Sequence, residues 1–192
     1  MAKYSKFKTK VHPLSYVILA ILIALVAVVV IFSVPSSKTK IYNEYYQTQI
    51  KTEQFNGELI IEKDHVFTKI NVKDLEKKIE QKGLVILYIG GTWCPYCLNE
   101  VGIYSSELKK NEELLEKSPN IFYLAKPADK DIEGLAELFE KLGAKEPTTY
   151  PTLISFYDGK PVEAVYTIGS QEPKEIKTTV RNYFDKVLEE IK

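Results

Sequence analysis

The chain has 192 residues, 45% of them hydrophobic and 27% charged, which is room for one globular domain and an additional apolar segment. Basic and acidic residues number 26 each, but Lys3, Lys6, Lys8 and Lys10 and no acid fall in residues 1–34, so residues 35–192 carry a net charge of −4. A mildly acidic domain offers no basic face for nucleic acid, and two cysteines are too few for a disulfide-stapled mini-domain.

Residues 14–34, LSYVILAILIALVAVVVIFSV, carry no charge. A helix of about 20 such residues matches the ~30 Å hydrocarbon core of a bilayer. The run exceeds the ~7–15 apolar residues of a signal peptide, and Phe32-Ser33-Val34-Pro35 is a poor small-residue cleavage site. An uncleaved transmembrane anchor is expected, with a cleaved signal as the alternative. Four lysines precede the span, and Lys38 and Lys40 follow it. That bias makes residues 1–13 a cytoplasmic basic tail and puts the rest outside, in a single-pass protein of the cell membrane. No cysteine is placed to carry a lipid. Residues 35–56 are polar and rich in Tyr and Gln, and read as a juxtamembrane spacer with at most a short helix.

Residues 57–192 alternate strand and helix signals. Glu58–Ile61 and Val66–Ile70 form a first strand region. Asn71 caps a short helix with Val72, Leu75 and Ile79 on one face, and Gly83 stops it. Leu84–Ile89 is a continuous apolar run, as in a central strand covered on both sides. A turn over residues 90–97 leads into a helix to about Lys117, and Ile121–Ala125 is another buried strand. Ile132–Leu142 has a helical stripe of Ile132, Leu135, Ala136, Phe139 and Leu142, ended by Gly143. Thr152–Tyr157 and Val162–Ile168 flank Asp158-Gly159-Lys160 as a hairpin. Pro173 opens a last helix with its stripe at Ile176, Val180, Phe184, Val187, Leu188 and Ile191. The order βαβαβαββα predicts an α/β fold, a central mixed sheet flanked by helices.

The chemistry lies in Tyr88-Ile89-Gly90-Gly91-Thr92-Trp93-Cys94-Pro95-Tyr96-Cys97. A Cys-x-x-Cys that follows a buried strand and opens a helix is a redox signature. The thiolate is the nucleophile. At a helix N-terminus, Cys94 meets unpaired N–H groups and the positive end of the helix dipole. Pro95 suits the first turn, where its missing N–H costs nothing. Two buried structural cysteines, or a zinc half-site shared with another chain, are the alternatives. With His12 and His65 the only histidines, no metal and no cofactor is expected. The second element is Tyr150-Pro151-Thr152. A proline entering a strand is confined to its first position or an edge, and a cis Tyr150–Pro151 bond would cost little.

Trp93-Cys94-Pro95-Tyr96-Cys97, with Tyr150-Pro151-Thr152-Leu153 and the Phe156–Gly159 hairpin, resembles the thioredoxin superfamily over about residues 57–192. Within it the chain is similar to the small thioredoxin-like proteins of Gram-positive bacteria known as bacteriocin transport accessory proteins. The resemblance implies that Pro151 is cis and faces the cysteines, that the Tyr150 backbone can pair with a substrate peptide, and that Cys94 attacks and Cys97 resolves. The chain also departs from that pattern. Tyr88 stands where thioredoxins carry a buried acid, while Lys126 matches the lysine that usually pairs with it. Proton transfer at Cys97 would then fall to water, Tyr88 or Lys126. Glu100 could substitute, although an exposed helix glutamate is the expectation. Pro-Tyr between the cysteines is glutaredoxin-like, but no glutathione site is evident. Asp129-x-Asp131-x-Glu133-Gly134 imitates a calcium loop without the preceding helix such a loop needs. Its acids read as N-terminal helix charges.

The expected activity is thiol–disulfide exchange outside the cytoplasm, where disulfides persist. Its partners would be cysteine-containing exported proteins or peptides and a membrane redox partner. The competing expectation is a non-catalytic accessory protein of a peptide export system that binds partners through the same groove.

Overall fold

The computed structural model describes residues 13–33, 36–162 and 172–192, with side chains at 14–25, 36–162, 172 and 174–192. It divides into two compact units, the first ending at Ser36 and the second running from Ser37 to Lys192. The first contains helix α1 (Pro13–Ser33), whose described side chains are exposed. Among the described residues no helix is long and apolar enough to cross a membrane. The span expected at residues 14–34 extends past the side chains described for α1.

The second unit begins with α2 (Ser37–Lys51) and continues β1 (Phe67–Lys69), α3 (Val72–Glu80), β2 (Leu84–Gly90), α4 (Pro95–Lys110), α5 (Glu112–Lys117), β3 (Ile121–Ala125), α6 (Leu135–Lys141), β4 (Thr152–Tyr157), β5 (Lys160–Pro161) and α7 (Pro173–Glu190). The sheet order is β1-β3-β2-β4-β5. β1, β3 and β2 run parallel, while β4 is antiparallel to both β2 and β5.

β2 is the middle strand and all seven of its residues are buried. Its side chains alternate between the two faces, as the pleat demands. Leu84, Ile86 and Tyr88 join a core with residues of α2, α4 and α7, while Val85, Leu87 and Ile89 join one with residues of α3 and α6. All six apolar positions predicted for the last helix are buried. An ion pair on a buried carboxylate also ties that helix to α4: Glu107 accepts from the exposed Arg181 Nη2 at 3.0 Å and from the exposed Lys110 Nζ at 2.7 Å.

Several elements differ from expectation. Residues 37–51 are not a spacer but a helix built into the domain, with Ile41, Tyr45 and Gln49 buried at four-residue spacing. That spacing keeps all three on one helical face. Glu58–Ile61 is not a strand. The segment lies against α4 instead. A Cβ on Gly102 would stand 2.3 Å from the Leu59 carbonyl oxygen. Asn56 and Asn99 exchange two hydrogen bonds, and the Ile61 N–H donates to Gln49 Oε1 at 3.0 Å. These side-chain partners satisfy backbone groups that a strand would have paired.

The helix expected to reach Lys117 breaks at Asn111, whose side chain accepts from the Leu114 N–H and caps α5. α6 starts at Leu135 rather than Ile132, because Gly134 adopts φ 76°. Ala136 faces outward on it and Leu138 inward. Asn71 caps α3 as predicted, accepting from the Asp74 N–H at 2.9 Å. In the β4–β5 turn, Asp158 and Gly159 both have positive φ, 48° and 83°. That is the backbone a tight two-residue hairpin requires. The Val162 N–H continues the ladder to the Ser155 carbonyl at 2.8 Å. The remainder of the strand predicted to Ile168 lies outside the described residues.

Candidate redox site

The β2 strand delivers the chain into the turn that carries the cysteines. Gly90 and Gly91 are required there by space. A Cβ on Gly90 would lie 2.6 Å from the Tyr88 hydroxyl and 3.0 Å from the Cys97 sulfur. One on Gly91 would lie 2.6 Å from the Lys126 carbonyl oxygen. No side chain larger than hydrogen fits at either place without moving the site.

Cys94 is the N-cap of α4 and Pro95 occupies its first turn. The Cys94 sulfur accepts the Cys97 N–H at 3.2 Å, and its thiol reaches the Tyr150 carbonyl at 3.5 Å. Both cysteines are free thiols. The register Ile89↔Thr152 sets the start of β4 beside the end of β2. It thereby brings Tyr150 and Pro151 to the cysteine turn. The Tyr150–Pro151 bond is cis, and Pro151 is buried.

The two thiols differ sharply. The Cys97 thiol, donating to the Cys94 sulfur, holds Cys94 below the ordinary thiol range. The Cys97 and Tyr96 backbone N–H groups add to this, against burial and the negative charge of Glu100. Burial pushes the Cys97 thiol far up, and the Cys94 sulfur beside it pushes the same way. The arrangement pushes one thiol toward ionisation and holds the other back from it.

The rim is aromatic. Trp93 and Tyr96 are 43% and 40% exposed, whereas Cys94 between them is 3% exposed. Trp93 is pinned by its indole N–H donating to the Lys126 carbonyl at 2.7 Å, and its ring packs edge-on against Tyr150. A cavity of about 320 Å³ adjoins the rim, lined by Gln54, Asn56, Pro95, Tyr96, Asn99, Glu100 and Ile176.

The predicted supporting residues separate. Tyr88 is fully buried behind the turn, close to the Cys97 sulfur. Lys126 gives its carbonyl to Trp93 and its backbone N–H to the Gly90 carbonyl at 2.9 Å, and its ammonium stands 5.7 Å from the centroid of the Tyr150 ring. Its ammonium bonds the Lys130 carbonyl at 2.6 Å and the Pro127 carbonyl at 3.2 Å, and lies 3.7 Å from Asp131. This ammonium therefore occupies the calcium-like loop and is not turned to Cys97. Glu100 is not an exposed helix glutamate. It is fully buried, with the Tyr104 hydroxyl donating to it.

The residues that sequence reasoning missed come from α2. The Tyr45 hydroxyl lies 3.1 Å from that of Tyr88, and Gln49 Nε2 donates to the Leu98 carbonyl at 2.7 Å. Their signal was the four-residue repeat Ile41, Tyr45, Gln49. Among the described residues no group of three or more His, Cys, Asp or Glu is placed to hold a metal.

The strand order, the cysteine turn at the α4 N-terminus and the cis proline opening β4 make this a thioredoxin-like α/β fold, its mixed sheet flanked by helices. No family model and no curated protein matches the chain. Among solved structures it is similar to oxidised thioredoxin of Plasmodium falciparum, at 17% identity and TM-score 0.41, over 61% of this chain and 97% of that one. It is also similar to a thioredoxin of Malassezia sympodialis, at 14% identity and TM-score 0.40, over 67% and 98% of the two chains. With zinc-bound human ERp44 it shares 14% identity at TM-score 0.39, over 60% of this chain and only 30% of that one.

Proposed function

We propose that this chain is a membrane-tethered thiol–disulfide oxidoreductase acting on cysteine-containing proteins or peptides outside the cytoplasm. The observation that carries the reading is the Cys94 sulfur, capping α4, bonded to the Cys97 N–H at 3.2 Å and held low in pKa beside a partner held high. A structural cysteine pair needs no such asymmetry.

The exchange runs in two displacements. In the oxidised form a substrate thiolate attacks the Cys94 sulfur. The Cys94–Cys97 bond breaks, and Cys97 leaves with the electron pair and takes a proton. A second substrate thiolate then attacks its partner sulfur in the mixed disulfide and expels Cys94. The substrate is oxidised by two electrons and the pair is reduced. A thiol of low pKa leaves readily, so the depressed Cys94 favours this direction. A membrane redox partner would reoxidise the pair. In reverse, Cys94 attacks a substrate disulfide and Cys97 displaces the substrate. The exposed Trp93 and Tyr96 provide an apolar rim for an unfolded segment, and the Tyr150 backbone lies beside the reacting sulfur.

The tether rests on the 21-residue uncharged run and its flanking lysines. The resemblance of the Trp93–Cys97 motif to that of bacteriocin transport accessory proteins supports exported peptides as substrates. Full-length protein should stay in the membrane after alkaline extraction. It should also catalyse insulin reduction or the oxidative refolding of a reduced protein. Equal behaviour of wild type and Cys94→Ser in both assays would leave a non-catalytic accessory role and overturn the enzyme. A Cys97→Ala variant should trap substrates as mixed disulfides.

A further inference from the structure

Two buried polar side chains of α2 reach the back of the cysteine turn. Tyr45 is fully buried, and its hydroxyl lies 3.1 Å from the hydroxyl of Tyr88. The Tyr88 hydroxyl and the Cys97 sulfur both border the space that a Cβ on Gly90 would fill. One turn further along α2, Gln49 is 3% exposed. It donates to the Leu98 carbonyl, next to Cys97, and accepts the Ile61 N–H. The aromatic rings leave little play. Tyr88 packs on Tyr104 at 5.5 Å and on Tyr123 at 5.6 Å between centroids, and Tyr45 meets Tyr123 edge-on at 5.9 Å.

We infer that Tyr45 is a positioning residue for the redox pair: by holding the Tyr88 hydroxyl toward the Cys97 sulfur, α2 stabilises the negative charge that Cys97 carries when it attacks or leaves.

This rests on the exchange activity proposed above and adds the helix that tunes it. Cys97 is buried, and a sulfur anion there lacks water to solvate it. Something fixed must supply the donor, and a hydroxyl already in place costs no reorganisation as charge forms. Either hydroxyl of the Tyr45–Tyr88 pair can donate to the other; with Tyr45 donating, the Tyr88 O–H is left for the Cys97 sulfur and is the better donor, because linked hydrogen bonds polarise one another. The position where thioredoxins carry an acid thus has a neutral donor here. Lys126 cannot assist, because its ammonium is bonded into the 127–131 loop. During resolution the Cys97 sulfur attacks that of Cys94, and its proton passes to the substrate sulfur that departs. The Cys94–Cys97 bond forms, and the bond to the substrate breaks with the electron pair on that departing sulfur.

The test uses reduced full-length protein in detergent and an aromatic disulfide reagent that releases a coloured thiolate. The first release reports attack by Cys94 on the reagent. The second reports displacement by Cys97. Tyr45→Phe keeps the ring and removes only the hydroxyl. It should leave the first phase unchanged, while the thermal midpoint falls because the Tyr88 hydroxyl loses a buried partner. It should slow the second phase by roughly three- to tenfold and move its pH profile upward. Tyr88→Phe should slow the second phase at least as much. The double variant should be no slower than Tyr88→Phe alone, since the two hydroxyls act as one chain. An unchanged second phase in Tyr45→Phe overturns the inference. So does slowing of both phases, which would mark a purely structural role. Absence of a Cys94-dependent first phase near neutral pH would instead sink the proposed function.

Discussion

A thiol only 3% exposed must be made reactive by its hydrogen bonds rather than by its access to water. At Cys94 the largest such contribution is the thiol of Cys97, ahead of the Cys97 and Tyr96 backbone N–H groups. A substitution at residue 97 therefore does more than remove the resolving sulfur. Cys97→Ala keeps the backbone N–H that reaches the Cys94 sulfur at 3.2 Å but deletes the S–H donor. The pH profile for alkylation of Cys94 should then move up toward that of a free thiol, while some depression survives through the helix N-terminus. An unchanged profile would mean that the N-terminal N–H groups alone set the reactivity. The sign matters in practice. A Cys97→Ala trap should capture substrates better at mildly alkaline pH, where more of Cys94 is thiolate.

At the scale of elements, α4 carries the site at one end and a tight contact in its middle. Alanine is about 1 kcal/mol better than glycine in a helix interior. At Gly102, however, the added Cβ would stand 2.3 Å from the Leu59 carbonyl oxygen, which is backbone. Overpacking of this kind costs about 1–3 kcal/mol, and relief requires segment 56–61 to move off α4. Gly102→Ala should lower the denaturant midpoint, with a net loss of about 1–2 kcal/mol once the helical gain is subtracted. A midpoint that rises would show that the segment is loosely held. The same contact explains what could be read from the chain and what could not. β2, the Cys-Pro-Tyr-Cys turn, the Asp158-Gly159 hairpin and the stripe of α7 each announce themselves locally, by an apolar run, a fixed spacing or a turn residue. Glu58–Ile61 has the apolar run of a strand, yet it is claimed by Gln49 and Gly102, which lie on two helices. Glu100 reads as a surface acid from its helical position, yet it is fully buried with the Tyr104 hydroxyl donating to it. α2 was obscured by composition: tyrosine and glutamine average to a polar stretch, and only the four-residue repeat shows the buried face.

For the whole molecule, the boundary of the redox domain becomes a physical question. Sequence periodicity begins near Gly57, but the compact unit begins at Ser37. The difference is α2, which contributes Ile41 and Tyr45 to the core that contains both cysteines. Fully burying one such side chain is worth about 1.5–3 kcal/mol. The ordering entropy of the helix offsets part of that gain. What remains after removal is worse than the difference between these terms. The Tyr88 hydroxyl, the Leu98 carbonyl and the Ile61 N–H would each lose a buried partner, at about 1–3 kcal/mol for each group that water cannot reach. His65 would lose the Lys38 carbonyl, which it bonds at 2.9 Å. Residues 37–192 should therefore unfold cooperatively with native Cys94 reactivity. Residues 57–192 should lose a large share of the about 5–15 kcal/mol typical of such a domain and expose the aromatic face of Tyr88 and Tyr123. Urea titration of the two fragments, followed by Trp93 fluorescence and Cys94 alkylation, checks this. Equal midpoints would make α2 an ornament on a self-sufficient fold. Unequal midpoints would mean that α2 is an integral part of the domain that holds the cysteines.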